Sequence, residues 1–151
     1  MTPTDSPFPS KGRLLGIDFG TVRVGLAACD PDRIVASPMI TYTRRTVEKD
    51  AEYFLRVVKN ESIVGLVIGL PISLNNTEGP KAIEAREFGA WLVSVTSLPF
   101  VYWDERFTTA AAEDIMRDAG LTPQKRKAKR DRVAAQILLQ TYLDAGCPIS
   151  M

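Results

Sequence analysis

The stretch Arg13–Asp30, "RLLGIDFGTVRVGLAACD", decides how the rest of this chain is read. An apolar run of Leu14, Leu15 and Ile17 delivers Asp18. The chain then turns through Phe19-Gly20-Thr21, and Val22–Cys29 resumes an apolar strand pattern. Two such runs across a short glycine-containing turn predict an antiparallel pair. Asp18 therefore ends a buried strand, where a carboxylate is costly unless something satisfies it. Three roles stay open for it at this point: closing the turn with its own backbone, holding a metal ion, or facing a phosphate.

Working outward, Ile34–Thr43 supplies a third strand, with Pro38 near its start. The period then changes. Val47, Ala51, Phe54, Leu55 and Val58 fall on one face of a helix, and Thr46 stands where its N-cap belongs. Ile63–Leu70, "IVGLVIGL", is apolar on both faces, as a central parallel strand is. "PISLNNTEGP" is a loop; a helix follows over about 81–94, with Ile83, Glu87, Ala90, Trp91 and Ser94 along one face. Pro99–Trp103 is a short strand. A helix is expected over about 109–119, with Ala112, Ile115, Met116 and Ala119 inward and Gly120 as its C-terminal cap. Thr122-Pro123 opens a last helix that runs to about Asp144. The order predicts an α/β fold: a mixed five-stranded sheet, strands 1–3 antiparallel and strands 4–5 parallel, flanked by helices on both faces. The expected division is a tail over 1–11, one domain over 12–146, and a short tail over 147–151.

Composition narrows the chemistry. In 151 residues there is no histidine, which removes Ser-His-Asp and Cys-His catalysis and histidine-held zinc. Cys29 and Cys147 have no metal-ligand spacing and suggest no disulfide framework. The longest apolar run is too short to span a bilayer, and no signal peptide is evident, so the expectation is a cytoplasmic protein without a membrane partner. The net charge of +1 implies no global attraction to nucleic acid, so local clusters have to carry any such role.

Two clusters stand out. "VYWDERFTT" ends a strand in Asp104 and Glu105, which point to opposite faces in extended chain, so one of them at most joins Asp18. In "KRKAKRDRVAAQILLQTYL" the residues Asp131, Ala134, Ala135, Leu138 and Tyr142 form one helix stripe, which Asp131 begins. An acid there asks for a partner; the plain alternative is a surface pair with Arg130 or Arg132. Ahead of it, Lys125, Arg126, Lys127, Lys129, Arg130 and Arg132 put six cations in eight positions. Cations in the first turns of a helix oppose its dipole, a conflict that a bound polyanion offsets. Three carboxylates from two strand ends and a helix make an oxygen-rich pocket suited to Mg²⁺ or Mn²⁺. Such ions activate water and neutralise the leaving oxygen in phosphodiester hydrolysis, with no histidine required.

"GIDFGTVRVGLA", "VIGLPISLNNTEG", "DERFTT" and "KRDRVAAQILLQ", in that order over about residues 13–143, closely resemble the YqgF family, also called RuvX. The resemblance implies a ribonuclease H-like fold and a bacterial cytoplasmic nuclease, either trimming the 5′ end of precursor 16S rRNA or resolving Holliday junctions. By motif it implies that Asp18, Glu105 and Asp131 are the catalytic, metal-holding acids, with Asp104 and Glu78 as further candidates. Arg23, Lys125, Arg126, Lys127, Lys129 and Arg130 are the candidate nucleic-acid contacts. The family loop usually carries an acid where Asn76 stands. The implied partners are precursor rRNA or branched DNA, and the ribosome or its precursors; a monomer and a homodimer are both compatible.

Two other classes compete. "GIDFGT" also resembles the first phosphate loop of sugar kinases and actin-like ATPases, but no second phosphate loop appears. A non-catalytic nucleic-acid binder would use residues 125–132 with salt-sensitive affinity and cut nothing under any divalent metal.

Overall fold

The computed structural model describes residues 8–72, 77–105 and 122–149. Its elements are β1 (Arg13–Asp18), β2 (Arg23–Cys29), β3 (Ala36–Thr43), α1 (Val47–Asn60), β4 (Ile63–Leu70), α2 (Pro80–Thr96), β5 (Phe100–Asp104) and α3 (Pro123–Asp144). The strands form one sheet in the order β3-β2-β1-β4-β5. β1 pairs antiparallel with β2, and β2 with β3, while β4 runs parallel to both β1 and β5. This is the mixed sheet that the element order predicts. The expected helix over 109–119 and its Gly120 cap lie outside the described residues, as do residues 1–7 of the expected tail.

Strand alternation sorts the core into two layers. Leu15, Ile17, Val24, Leu26, Leu66 and Ile68 face α1 and α2. Leu14, Ala27, Val67 and Val101 face α3, against Ala135, Leu139, Tyr142 and Leu143. Phe8 also packs on this side, edge-on to Tyr142 at 6.4 Å.

Both N-caps expected from sequence form. The Thr46 hydroxyl accepts from the Lys49 amide, and the Thr122 hydroxyl accepts from the Lys125 amide. β3 starts at Ala36 rather than Ile34, because Asp30 Oδ1 accepts from the Ile34 and Val35 amides in a turn. Pro38 is tolerated on this edge strand beside a register shift at Leu26/Ala27. Gln140 and Gln136 of α3 then bond the Ala36 amide and carbonyl, tying the helix to the edge.

The face expected for α2 is corrected. Ala82, Ala85, Phe88, Gly89, Leu92 and Val93 are buried, whereas Ile83 is 53% exposed and Glu87, Ala90 and Ser94 face outward. Apolar residues occur around the whole helix, so periodicity alone was ambiguous. The inner face includes a close approach at Gly89, where a Cβ would lie 2.8 Å from the Tyr102 hydroxyl.

Candidate active site

The layer that faces α3 also gathers the acids. Asp18 follows Leu14 and Gly16 on that face of β1. Glu105 follows Val101 and Trp103 on the same face at the end of β5, whereas Asp104 has the parity of Tyr102 and points to the α2 side. Of the two, Glu105 is the one that the strand brings to Asp18. Glu105 meets Asp18, and their carboxyl groups share a hydrogen bond, with Asp18 donating.

Both carboxyls are held above the ordinary range. Burial is the main cause for Asp18, followed by the Glu105 charge, its hydrogen bond to Glu105 and the Asp131 charge, which together place it well above the usual value. Burial also raises Glu105; accepting from Asp18 opposes this, and the Asp104 charge adds to it. Two half-buried acids that face each other and repel as anions make a site that a cation would complete.

Two glycines make the convergence possible. Gly25 of β2 stands opposite Asp18 in the ladder. A Cβ there would collide with the Asp131 carbonyl oxygen, so glycine lets the α3 backbone lie directly on the sheet. Gly69 of β4 follows Ile68, the partner of Ile17, and a Cβ on it would occupy the place of the Glu105 carboxylate. Neither residue was singled out from sequence. The signal was present, since an isolated glycine inside a strand pattern marks a close approach.

Asp131 is oriented by Arg23, whose Nε–H donates to Oδ2 at 2.8 Å, rather than by Arg130 or Arg132. Glu78 is drawn elsewhere: Arg86 grips it with two hydrogen bonds of 2.6 and 2.8 Å. Lys125, Arg126, Lys127 and Arg130 lie exposed on the first turns of α3, and Lys129 is half-buried. A cleft of about 370 Å³, bordered by Gly20, Thr21, Lys81, Glu84 and Glu105, opens beside the acids.

The donor set fits a hard divalent cation. It offers carboxylate oxygens, and a cation would relieve the repulsion that now retains a proton between Asp18 and Glu105. Among the described residues no group of three or more His, Cys, Asp or Glu side chains is arranged as a ready-made metal site, and Asp131 is engaged by Arg23.

Comparison with known proteins bears on the family and the fold. A protein of Rhodopirellula baltica named "Putative pre-16S rRNA nuclease" is 47% identical over 95% of this chain and 83% of its own length. One of the same name from Paracoccus denitrificans is 39% identical over 90% of this chain and 86% of its own. Among solved structures, RuvC of T. thermophilus in complex with a Holliday junction substrate superposes with a TM-score of 0.58 at 13% identity, covering 89% of this chain and 95% of that one. The fowlpox virus resolvase with its junction DNA gives 0.55 at 9% identity, covering 90% and 99%. These two likenesses establish the ribonuclease H-like fold. Residues 12–145 match the family described as "RuvX: Holliday junction resolvase", and the chain belongs to that family.

Proposed function

We propose that this protein is a metal-dependent nuclease that hydrolyses phosphodiester bonds in the 5′-end processing of precursor 16S rRNA. The observation that carries the hydrolytic reading is that the half-buried Asp18 and Glu105 carboxyls meet beside Asp131, in the room that Gly25 and Gly69 leave. The substrate is argued from the names of relatives at 47% and 39% identity.

Asp18, Glu105 and Asp131 are the residues that would hold Mg²⁺ or Mn²⁺. When bound, such ions activate water and neutralise the leaving oxygen of a phosphodiester. Asp18 would hold such an ion as the carboxylate, its proton passing to solvent, and Glu105 would stay in the space that Gly69 leaves for it. Arg23 holds the Asp131 carboxylate at 2.8 Å and adds positive charge where a scissile phosphate would arrive. Lys125, Arg126, Lys127, Lys129 and Arg130 contact the flanking phosphates, which offsets their conflict with the helix dipole. The test is cleavage of an RNA carrying the precursor 5′ end by purified protein in Mn²⁺. Loss of cleavage in Asp18→Asn supports the reading, and unchanged cleavage overturns it.

The family's description favours a second reading, resolution of four-way DNA junctions. Symmetric resolution calls for a homodimer, whereas end trimming is compatible with a monomer. Preferential, paired cutting of a four-way DNA over the RNA would select it.

A further inference from the structure

A second cavity of about 360 Å³ continues from the cleft beside the acids. Phe19, Thr21 and Glu84 border both, so the two form one groove that leaves the site past the residue following Asp18. Its floor is aromatic. Phe19 and Phe88 lie 4.8 Å apart between centroids, and Phe88 and Trp91 lie 5.6 Å apart. The Arg44 guanidinium sits over Phe19 at 5.6 Å and over Phe88 at 5.3 Å. Its Nε is buried without a hydrogen-bond partner among the described residues, 3.6 Å from Asp50. The chain thus holds a partly exposed cation over the aromatic floor.

We infer that this groove is a nucleobase subsite, which takes one unstacked base of a single strand whose phosphate lies at Asp18 and Glu105. The inference rests on the nuclease reading of that site. Half-buried Trp91 and the Arg44 plane provide stacking surfaces, the usual means of holding a splayed base. The rim argues against a phosphate as occupant. Glu84 and Glu87 would repel one, but they can accept hydrogen bonds from the amino groups of a base edge. Lys81, which borders the cleft next to Glu105 but not the aromatic cavity, lies where the backbone would pass.

The chain holds two tryptophans, so a Trp103→Phe protein reports from Trp91 alone. Circular dichroism and a thermal melt first confirm that this protein is folded. In EDTA, where cleavage is suppressed, it is titrated with a short fluorescein-labelled single-stranded RNA, following Trp91 emission and label anisotropy. The expected results are quenching of Trp91 that parallels binding, and a roughly tenfold weaker Kd in the otherwise wild-type Trp91→Ala protein, in line with base–aromatic stacking. An abasic strand of the same length should bind wild type and Trp91→Ala equally. Equal Kd values for the intact strand, or the same loss with the abasic strand, overturn the subsite. Neither readout needs catalysis. Failure here with Mn²⁺ cleavage intact removes the subsite alone, whereas loss of the nuclease reading shows in the cleavage assay.

Discussion

Gly25 and the Asp131 carbonyl oxygen are in contact across the β2–α3 interface, with no space between them for a side chain. The contact puts the helix backbone against the strand residue paired with Asp18. Alanine at 25 must push α3 off the sheet, because the obstacle is backbone. Gly25→Ala is expected to lose about 1–3 kcal/mol of stability, read as a fall in Tm, and to lose cleavage as Asp131 retreats. A variant with unchanged Tm and activity would show that the approach is not needed.

Gly69→Ala should behave differently. The atoms in the way belong to the end of the Glu105 side chain, which can rotate aside. The stability cost should stay under about 1 kcal/mol, while displacement of Glu105 lowers cleavage by about 100-fold. Denaturant unfolding and Mn²⁺-dependent turnover, measured on one preparation, check the split. Equal, large losses in both would contradict it.

Both acids have folded-state pKa values above their unfolded ones. The folded, metal-free protein therefore binds more protons than the unfolded chain, so its stability falls as pH rises from the unfolded carboxylate range, about 4, through the raised pKa of Asp18. Asp18→Asn should flatten that slope and make the EDTA-treated protein more stable than wild type near neutral pH. Urea melts over a pH series decide this, and a variant that keeps the wild-type slope would contradict it.

Asp50, away from the site, is a structural acid. Asp50 is 1% exposed and accepts from the Tyr42 hydroxyl at 2.6 Å and the Arg45 amide at 2.9 Å. Burial, then the bond to Asp50, pushes the Tyr42 hydroxyl up to about 12. Tyr42→Phe should cost about 1.5–3 kcal/mol, the usual worth of a hydrogen bond to a charged group, and leave kcat for RNA cleavage within about twofold. A large fall in kcat with stability intact would tie this corner to the chemistry instead.

Local signals were legible in sequence and long-range ones were not. β1 and β4 start and stop where their apolar runs do, and Thr46 and Thr122 cap as hydroxyls before helices should. Asp18, Glu105 and Asp131 could each be picked out as strand-end or stripe acids. Their convergence rests on sheet order and on two glycines whose role appears only when α3 and Glu105 are in place. The partner of Asp131 lies 108 residues away at Arg23, beyond any local pattern, so nearer arginines looked equally suitable. Glu78 looked available because the Arg86 that binds it is on the next helix. The inner face of α2 is not legible from periodicity, because apolar residues surround the helix and the buried face mixes Ala82, Ala85 and Gly89 with Phe88, Leu92 and Val93.

In the proposed function Asp18 and Glu105 would jointly hold the divalent cation that phosphodiester hydrolysis uses. Its most direct test is isothermal titration of Mn²⁺ into wild type, Asp18→Asn and Glu105→Gln, with cleavage of the precursor 5′-end RNA followed on the same samples. Each substitution is expected to weaken Mn²⁺ binding at least tenfold and to abolish cleavage, while circular dichroism stays native. Wild-type Mn²⁺ affinity and cleavage in either folded variant would contradict it.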